Sequence, residues 1–133
     1  MKKNEATPKG DNIKNGNSYV TEIGPRIKSE YTLEMLLKVG PNGITQPEAY
    51  SVYRESCLHS TISALQNQHN IKIMRRSDKQ SIVHKRQKPF SRYWLPDIVQ
   101  ANRALTLLNF YRKQRNAPSL KLSAIYQPTS KPV

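Results

Sequence analysis

The densest group of side chains able to do chemistry lies in one stretch, Ser56-Cys57-Leu58-His59-Ser60-Thr61-Ile62-Ser63-Ala64-Leu65-Gln66-Asn67-Gln68. At helical spacing Leu58, Ile62 and Leu65 form one apolar stripe, and His59, Ser60, Ser63, Gln66 and Asn67 fall on the opposite side. These five are uncharged donors and acceptors of the kind that match base edges, Asn and Gln pairing with adenine and Ser or His bonding more loosely. Cations that meet phosphate raise affinity for every sequence alike, whereas side chains matched to base edges discriminate. The neutrality stands out in a chain with 22 Lys and Arg against 9 Asp and Glu and a formal net charge of +13.

Other chemistry is poorly provided for. His59, His69 and His84 are too far apart in the chain to suggest a catalytic group, and with the single cysteine, Cys57, they match no usual metal-ligand spacing. One cysteine also rules out an intramolecular disulfide, and at a helix start Cys57 is expected to be semi-buried rather than reactive. There is no Gly-rich phosphate loop and no pair of carboxylates in an apolar run. The expectation is a protein that is not an enzyme and needs neither metal nor cofactor.

The charge is unevenly placed. Residues 1–29 carry 6 basic and 3 acidic side chains, residues 30–57 carry 2 and 4, residues 58–96 carry 8 and 1, and residues 97–133 carry 6 and 1. The positive field therefore begins at the polar-faced helix and continues beyond it, which points to a polyanionic partner, nucleic acid first. Arg75, Arg76, Lys79, Lys85, Arg86, Lys88 and Arg92 are the candidate phosphate contacts, joined by Thr45 and Gln46 at the start of the preceding helix. The charged and then polar start, Met1-Lys2-Lys3-Asn4-Glu5, has no apolar segment behind it, and no run approaches a membrane span. A soluble, unexported protein of the bacterial cytoplasm or nucleoid, with no membrane partner, is expected.

At 133 residues with 36% apolar side chains and 9 Pro, the chain has room for one core plus tails. Residues 1–18, including Lys2, Lys3, Lys9 and Lys14, offer almost nothing to bury and are expected to be a disordered basic arm. Tyr19, Val20 and Ile23 suggest a short strand or anchor. Ser29 is expected to cap a helix over residues 30–39, ended by Gly40-Pro41-Asn42-Gly43. Thr45 and Glu48 have capping-box spacing with Pro47 in the first turn, so a helix over residues 46–53 follows, with Ala49, Tyr50 and Tyr53 inward. After Arg54-Glu55-Ser56, Ser56 is the expected cap of the polar-faced helix, which His69-Asn70 ends. Residues 71–76 and 90–95 read as two strands of a hairpin whose tip is basic. Asp97 would cap a long helix to about residue 116, with so broad an apolar stripe that it wants more than one neighbour. It is either a packing element or a dimer seam, and the second is favoured, with Leu105, Leu107, Leu108, Phe110 and Tyr111 forming a homodimer contact. Residues 117–133 are expected to be a flexible tail.

The order is thus helix, tight break, short capped helix, turn, polar-faced helix and basic hairpin: mainly α with a small β-hairpin, a winged helix-turn-helix domain over residues 19–96 with an extra C-terminal helix over 97–116. The segment "ITQPEAYSVYRESCLHSTISALQNQHNIKI", with "YWL" following it, resembles the small winged helix-turn-helix DNA-binding proteins of phages and mobile genetic elements. Ala49 and Ile62 lie thirteen residues apart, more than the ten of the simplest repressor motif, so the turn or first helix must be extended. The resemblance implies a sequence-specific duplex DNA-binding protein acting as a transcriptional regulator. Competing readings are a DNA accessory factor for excision or replication, and an adaptor or inhibitor that binds a host nucleic-acid enzyme as its protein partner.

Overall fold

Local sequence sets most element boundaries within residues 22–128, the part of the chain described by a computed structural model. The fold is α+β: five helices and one two-stranded antiparallel hairpin among the described residues, about 55% helical. Helix α1 spans Lys28–Val39, α2 Gln46–Tyr53, α3 Leu58–His69, α4 Ile98–Gln114 and α5 Leu122–Ile125, while β1 spans Met74–Asp78 and β2 Phe90–Trp94. The expected basic arm, with Tyr19 and Val20, and residues 129–133 lie outside the described residues.

The capping box is formed as expected. Thr45 N–H donates to Glu48 Oε1 at 2.9 Å, the Thr45 side chain reciprocates, and α2 has the expected bounds. Asp97 likewise caps α4, its carboxylate accepting from Gln100 N–H at 2.9 Å. The break after α1 is a single 3-10 turn over Gly40–Asn42. Gly43 there has φ +73°, and a Cβ on it would come within 2.6 Å of the Tyr93 carbonyl oxygen, so only glycine lets the chain pass so close to β2. Just beyond, Ile44 and Tyr93 exchange both backbone hydrogen bonds at 2.8 Å, which adds a one-residue third strand beside the hairpin.

Several expectations fail where tertiary contacts outweigh local signals. Ser29 is not a cap: α1 begins two residues earlier than expected, at Lys28 behind Ile27, and no side chain caps it. Ile23 is exposed and no strand forms there. Tyr50 lies outward at 52% exposure, leaving Ala49 and half-buried Tyr53 as the inner face of α2. The first strand starts at Met74 rather than residue 71, although Ile71 and Ile73 are buried beneath it. Residues 117–128 are no flexible tail: α5 packs on α1 and α4, Ala117 and Ile125 are buried, and Gln127 N–H donates to Leu37 O at 3.1 Å.

The core is built on α1, which touches α2, α3, α4, α5 and β2. Leu33, Leu36 and Leu37 meet Ala49 from α2, Leu58, Ile62 and Leu65 from α3, and Ala101, Ala104 and Leu108 from α4. The alanines let α4 lie close against α1. This places Leu108 wholly inside the core, so it cannot belong to a dimer surface; Leu105, Leu107 and Tyr111 are half-buried against the same core, and of the five expected dimer residues only Phe110 is exposed. Ile98 and Val99 are exposed too, so the inward stripe of α4 is narrower than its sequence suggests.

A buried ion pair ties the two ends of this core together. Glu30, fully buried, accepts from Arg115 Nε at 2.8 and 2.9 Å and from its Nη2 at 2.5 Å, a contact spanning 85 residues of chain. Arg26 Nε at 3.9 Å and Arg112 Nη1 at 4.0 Å complete the cluster. Removing one member of a buried pair leaves the other's charge uncompensated. Glu30→Ala, which strands two arginines, is therefore expected to cost about 3 kcal/mol in urea unfolding. Arg115→Ala should cost less, because Glu30 keeps Arg26 and Arg112; equal losses would show that these two contribute nothing.

Candidate nucleic-acid interface

The angle between α2 and α3 is fixed by two polar side chains. The four-residue turn Arg54–Cys57 begins with Arg54 at φ +61° and ends at Cys57, the residue before α3, with no side-chain cap of the usual kind. Ser56 is exposed and makes no cap, contrary to the sequence expectation. The orphan N–H groups are satisfied from elsewhere: Glu55 Oε2 accepts from Cys57 N–H at 2.9 Å, and Gln46 Oε1 accepts from Leu58 N–H at 2.6 Å. Gln46 Nε2 also donates to the Glu55 carbonyl, so one amide bridges the first residue of α2 to the turn and to α3. Thr61 Oγ1 donates to the other Glu55 oxygen at 2.5 Å, and Lys28 Nζ lies 3.4 Å from the carboxylate.

Around α3, a 100° step per residue divides the five candidate base readers into two sets. Ser60, Ser63 and Asn67 form a row pointing directly away from the buried stripe of Leu58, Ile62 and Leu65; Ser60 and Asn67 are exposed and Ser63 is half-buried. His59 and Gln66 lie on one flank and face the hairpin. His59 Nδ1 is 3.4 Å from the Tyr93 hydroxyl, and Gln66 Oε1 accepts from Ile73 N–H at 3.3 Å. Those two side chains fasten the hairpin to α3.

The hairpin pairs Met74 with Trp94, Arg75 with Tyr93, Arg76 with Arg92, Ser77 with Ser91 and Asp78 with Phe90. Directly opposed residues share a face, so Arg75 lies on the Tyr93 side beside α3, and Arg76 lies on the other face with Arg92. Arg92 is internally engaged: its guanidinium bonds Asp78 at 2.7 and 3.1 Å, Glu48 at 3.2 Å and the Asn42 and Gly43 carbonyls. Thr45 is buried in its capping box, and Gln46 bridges the helices. Three of the nine expected phosphate contacts are thus structural. The other six, Arg75, Arg76, Lys79, Lys85, Arg86 and Lys88, are exposed, and none is within ion-pair distance of a carboxylate among the described residues.

No family model, curated protein or solved structure matches the chain. A row of small neutral donors and acceptors on α3 stands beside a hairpin bearing six outward cations. Among the described residues no cluster of His, Cys, Asp or Glu could hold a metal ion, and no helix is long and apolar enough to cross a membrane.

Two residues were undervalued in the sequence. Cys57 is exposed rather than semi-buried, at the mouth of α3; hydrogen bonding to Ser60, whose hydroxyl is 3.0 Å from the sulfur, holds the thiol below its ordinary value. Glu55, one of only two acids near that turn, is the fully buried anchor of the helix. Burial alone would push its carboxyl up, but the bonds from Thr61 and Cys57 N–H and the Lys28 ammonium outweigh it, and the net shift is downward. A carboxyl whose folded value lies below the unfolded one, about 4.3, stabilises above that value and loses its contribution as pH falls through the folded one. Glu55→Gln should therefore be destabilised at pH 7, by about 1–3 kcal/mol, and converge on the unsubstituted protein at low pH. Urea midpoints at neutral pH and below the carboxylate range test this; an unchanged gap between the two proteins would mean that the charge of Glu55 does not matter.

Proposed function

We propose that the protein binds duplex DNA sequence-selectively in the manner of a winged helix-turn-helix regulator. Helix α3 enters the major groove and the hairpin, as the wing, meets the sugar-phosphate backbone. The carrying observation is an uncharged polar row, Ser60, Ser63 and Asn67, on a helix whose flank is hydrogen-bonded to a hairpin with six exposed cations that make no ion pair among the described residues. The element order supports it: α1, a one-residue strand at Ile44, α2, α3 and an antiparallel hairpin joined to that strand. Division of labour follows from the chemistry, the cations giving affinity without sequence preference and the row on α3 giving discrimination. Transcriptional regulation is the role this best suits.

If six hairpin cations contact phosphates, affinity should fall on the order of a thousandfold between 50 and 200 mM salt. Selection from random duplexes at about 150 mM salt, followed by sequencing of the retained pool, tests recognition itself. An enriched motif supports the reading, and an inverted repeat would add a second copy of the chain. Retention without enrichment would reduce α3 to a solvated surface, and absence of binding would favour a protein partner.

Substitutions separate the two kinds of contact. Asn67→Ala should cost about 1–3 kcal/mol on the selected site and little on unrelated duplex. Lys85→Ala should weaken both alike and reduce the salt slope by about one. Gln66→Ala is expected to act mainly on stability, since its amide is bonded to Ile73 N–H. The exposed Cys57 thiol offers a direct readout: its alkylation should slow when the selected duplex is bound, and equal rates with and without DNA would place the mouth of α3 outside the interface.

A further inference from the structure

The hairpin carries a feature that phosphate contact does not explain. Val83, in the connection between β1 and β2, is 84% exposed, the most exposed large hydrophobic side chain among the described residues, and neighbouring Ile82 is 40% exposed. A scattered apolar side chain on a protein surface needs no explanation. This one is held in place. Val83 N–H donates to Gln87 Oε1 at 3.0 Å, and Gln87 Nε2 donates to Ser81 O at 2.9 Å, so a single amide clamps both limbs of the tip. Between them the chain turns through His84–Gln87, closed by Gln87 N–H to His84 O at 3.3 Å, with Arg86 at φ +70°. Below, the Ser81 hydroxyl bridges Asp78 O and Phe90 N–H, at 2.5 and 2.9 Å, joining the tip to both strands.

The tip thus presents a stiff β-branched side chain, which loses little rotamer freedom on insertion, beside the cations Lys85, Arg86 and Lys88. Apolar side chains flanked by cations are what minor-groove proteins drive between base pairs to unstack a step and bend the duplex. We infer that Val83 is a wedge that enters the minor groove and kinks the DNA to which α3 is bound, with Gln87 as its positioning residue. The inference rests on the duplex-binding reading given above and adds to it that the bound DNA is bent.

The test is end-to-end energy transfer on a duplex of about 40 base pairs, carrying the selected site and labelled at both ends, at saturating full-length protein. The unsubstituted protein should shorten the end-to-end distance, corresponding to a bend of some tens of degrees. Val83→Thr keeps the shape but places a hydroxyl where the apolar branch would stack; it should lose most of the bend, with affinity reduced less than about tenfold. Val83→Ile should retain the bend, and Gln87→Ala should lose part of it. The side chain is exposed, so these variants should fold, which far-UV circular dichroism checks. Tight binding to a duplex that stays straight, or an equal bend with Val83→Thr, would overturn the wedge and leave duplex binding standing. Failure of the unsubstituted protein to bind any duplex would overturn both.

Discussion

Scarcity of carboxylates is the constraint on which the rest of this structure depends. Between Glu30 and Asp97 the chain has six, and each is committed internally. Glu30 holds Arg115, Glu34 holds Arg26 and Lys38, Glu48 closes the capping box, Glu55 anchors α3, Asp78 holds Arg92 and Asp97 caps α4. A chain with net charge +13 resists compaction by self-repulsion, and these contacts draw anions to the places where cations must be near the core. The consequence is that little acid remains for the hairpin, where Arg75, Arg76, Lys79, Lys85, Arg86 and Lys88 make no ion pair among the described residues. Arg92 marks the boundary, since Glu48 and Asp78 withdraw it from the outward set and make it a brace between α2 and the hairpin.

The face of α3 is consequently held stiffly, which suits the recognition proposed for it. Discrimination requires groups held within a few tenths of an ångström, because an adaptable surface accommodates the wrong base as readily as the right one. Here α3 is fixed at its start by Glu55 and Gln46 and along one flank by the hydrogen bonds of His59 and Gln66 to the hairpin. Tyr93 is the common node: it pairs with Arg75 in the sheet, exchanges backbone bonds with Ile44 and meets His59 through its hydroxyl. Side chains that perform this fastening cannot simultaneously offer the same atoms to a partner. The polar face of α3 is therefore narrower than its composition suggests, and centres on Ser60, Ser63 and Asn67.

What the sequence made legible divides along the range of the interaction. Signals that act within four residues were readable: the capping box of Thr45 and Glu48, the cap at Asp97, the break at residues 40–43, and the stripe of Leu58, Ile62 and Leu65. Those requiring a distant partner were not. Ser56 has the right chemistry for a cap, but Gln46, twelve residues before Leu58, and Glu55 supply the acceptors instead. Nothing in the Pro-containing stretch after residue 116 signals packing, because the surface it covers belongs to α1 and α4. Leu108 has the spacing of a seam residue on α4, but packing against the rest of the core buries it completely. Of the candidate site, the composition of the polar face and the outward cations could be read; which amides were already bonded could not.

On the proposed reading, the shape of the DNA should matter as well as its base edges. Protein–DNA complexes with real selectivity prefer their sites by about 4–10 kcal/mol, and a good bidentate pairing contributes about 1–3 kcal/mol. In the outward row only Asn67 can pair in a bidentate way; Ser60 and Ser63 each bring a single hydroxyl. The cations add affinity but no preference. Three short side chains therefore fall below the usual range by themselves, and the remainder must come from a cost that varies with sequence at positions not directly read. Bending supplies such a cost, because pyrimidine–purine steps unstack more easily than others. A rigid apolar tip at Val83 would convert that difference into selectivity, so the clamp of Gln87 and the narrow face of α3 answer the same requirement from opposite ends of the hairpin.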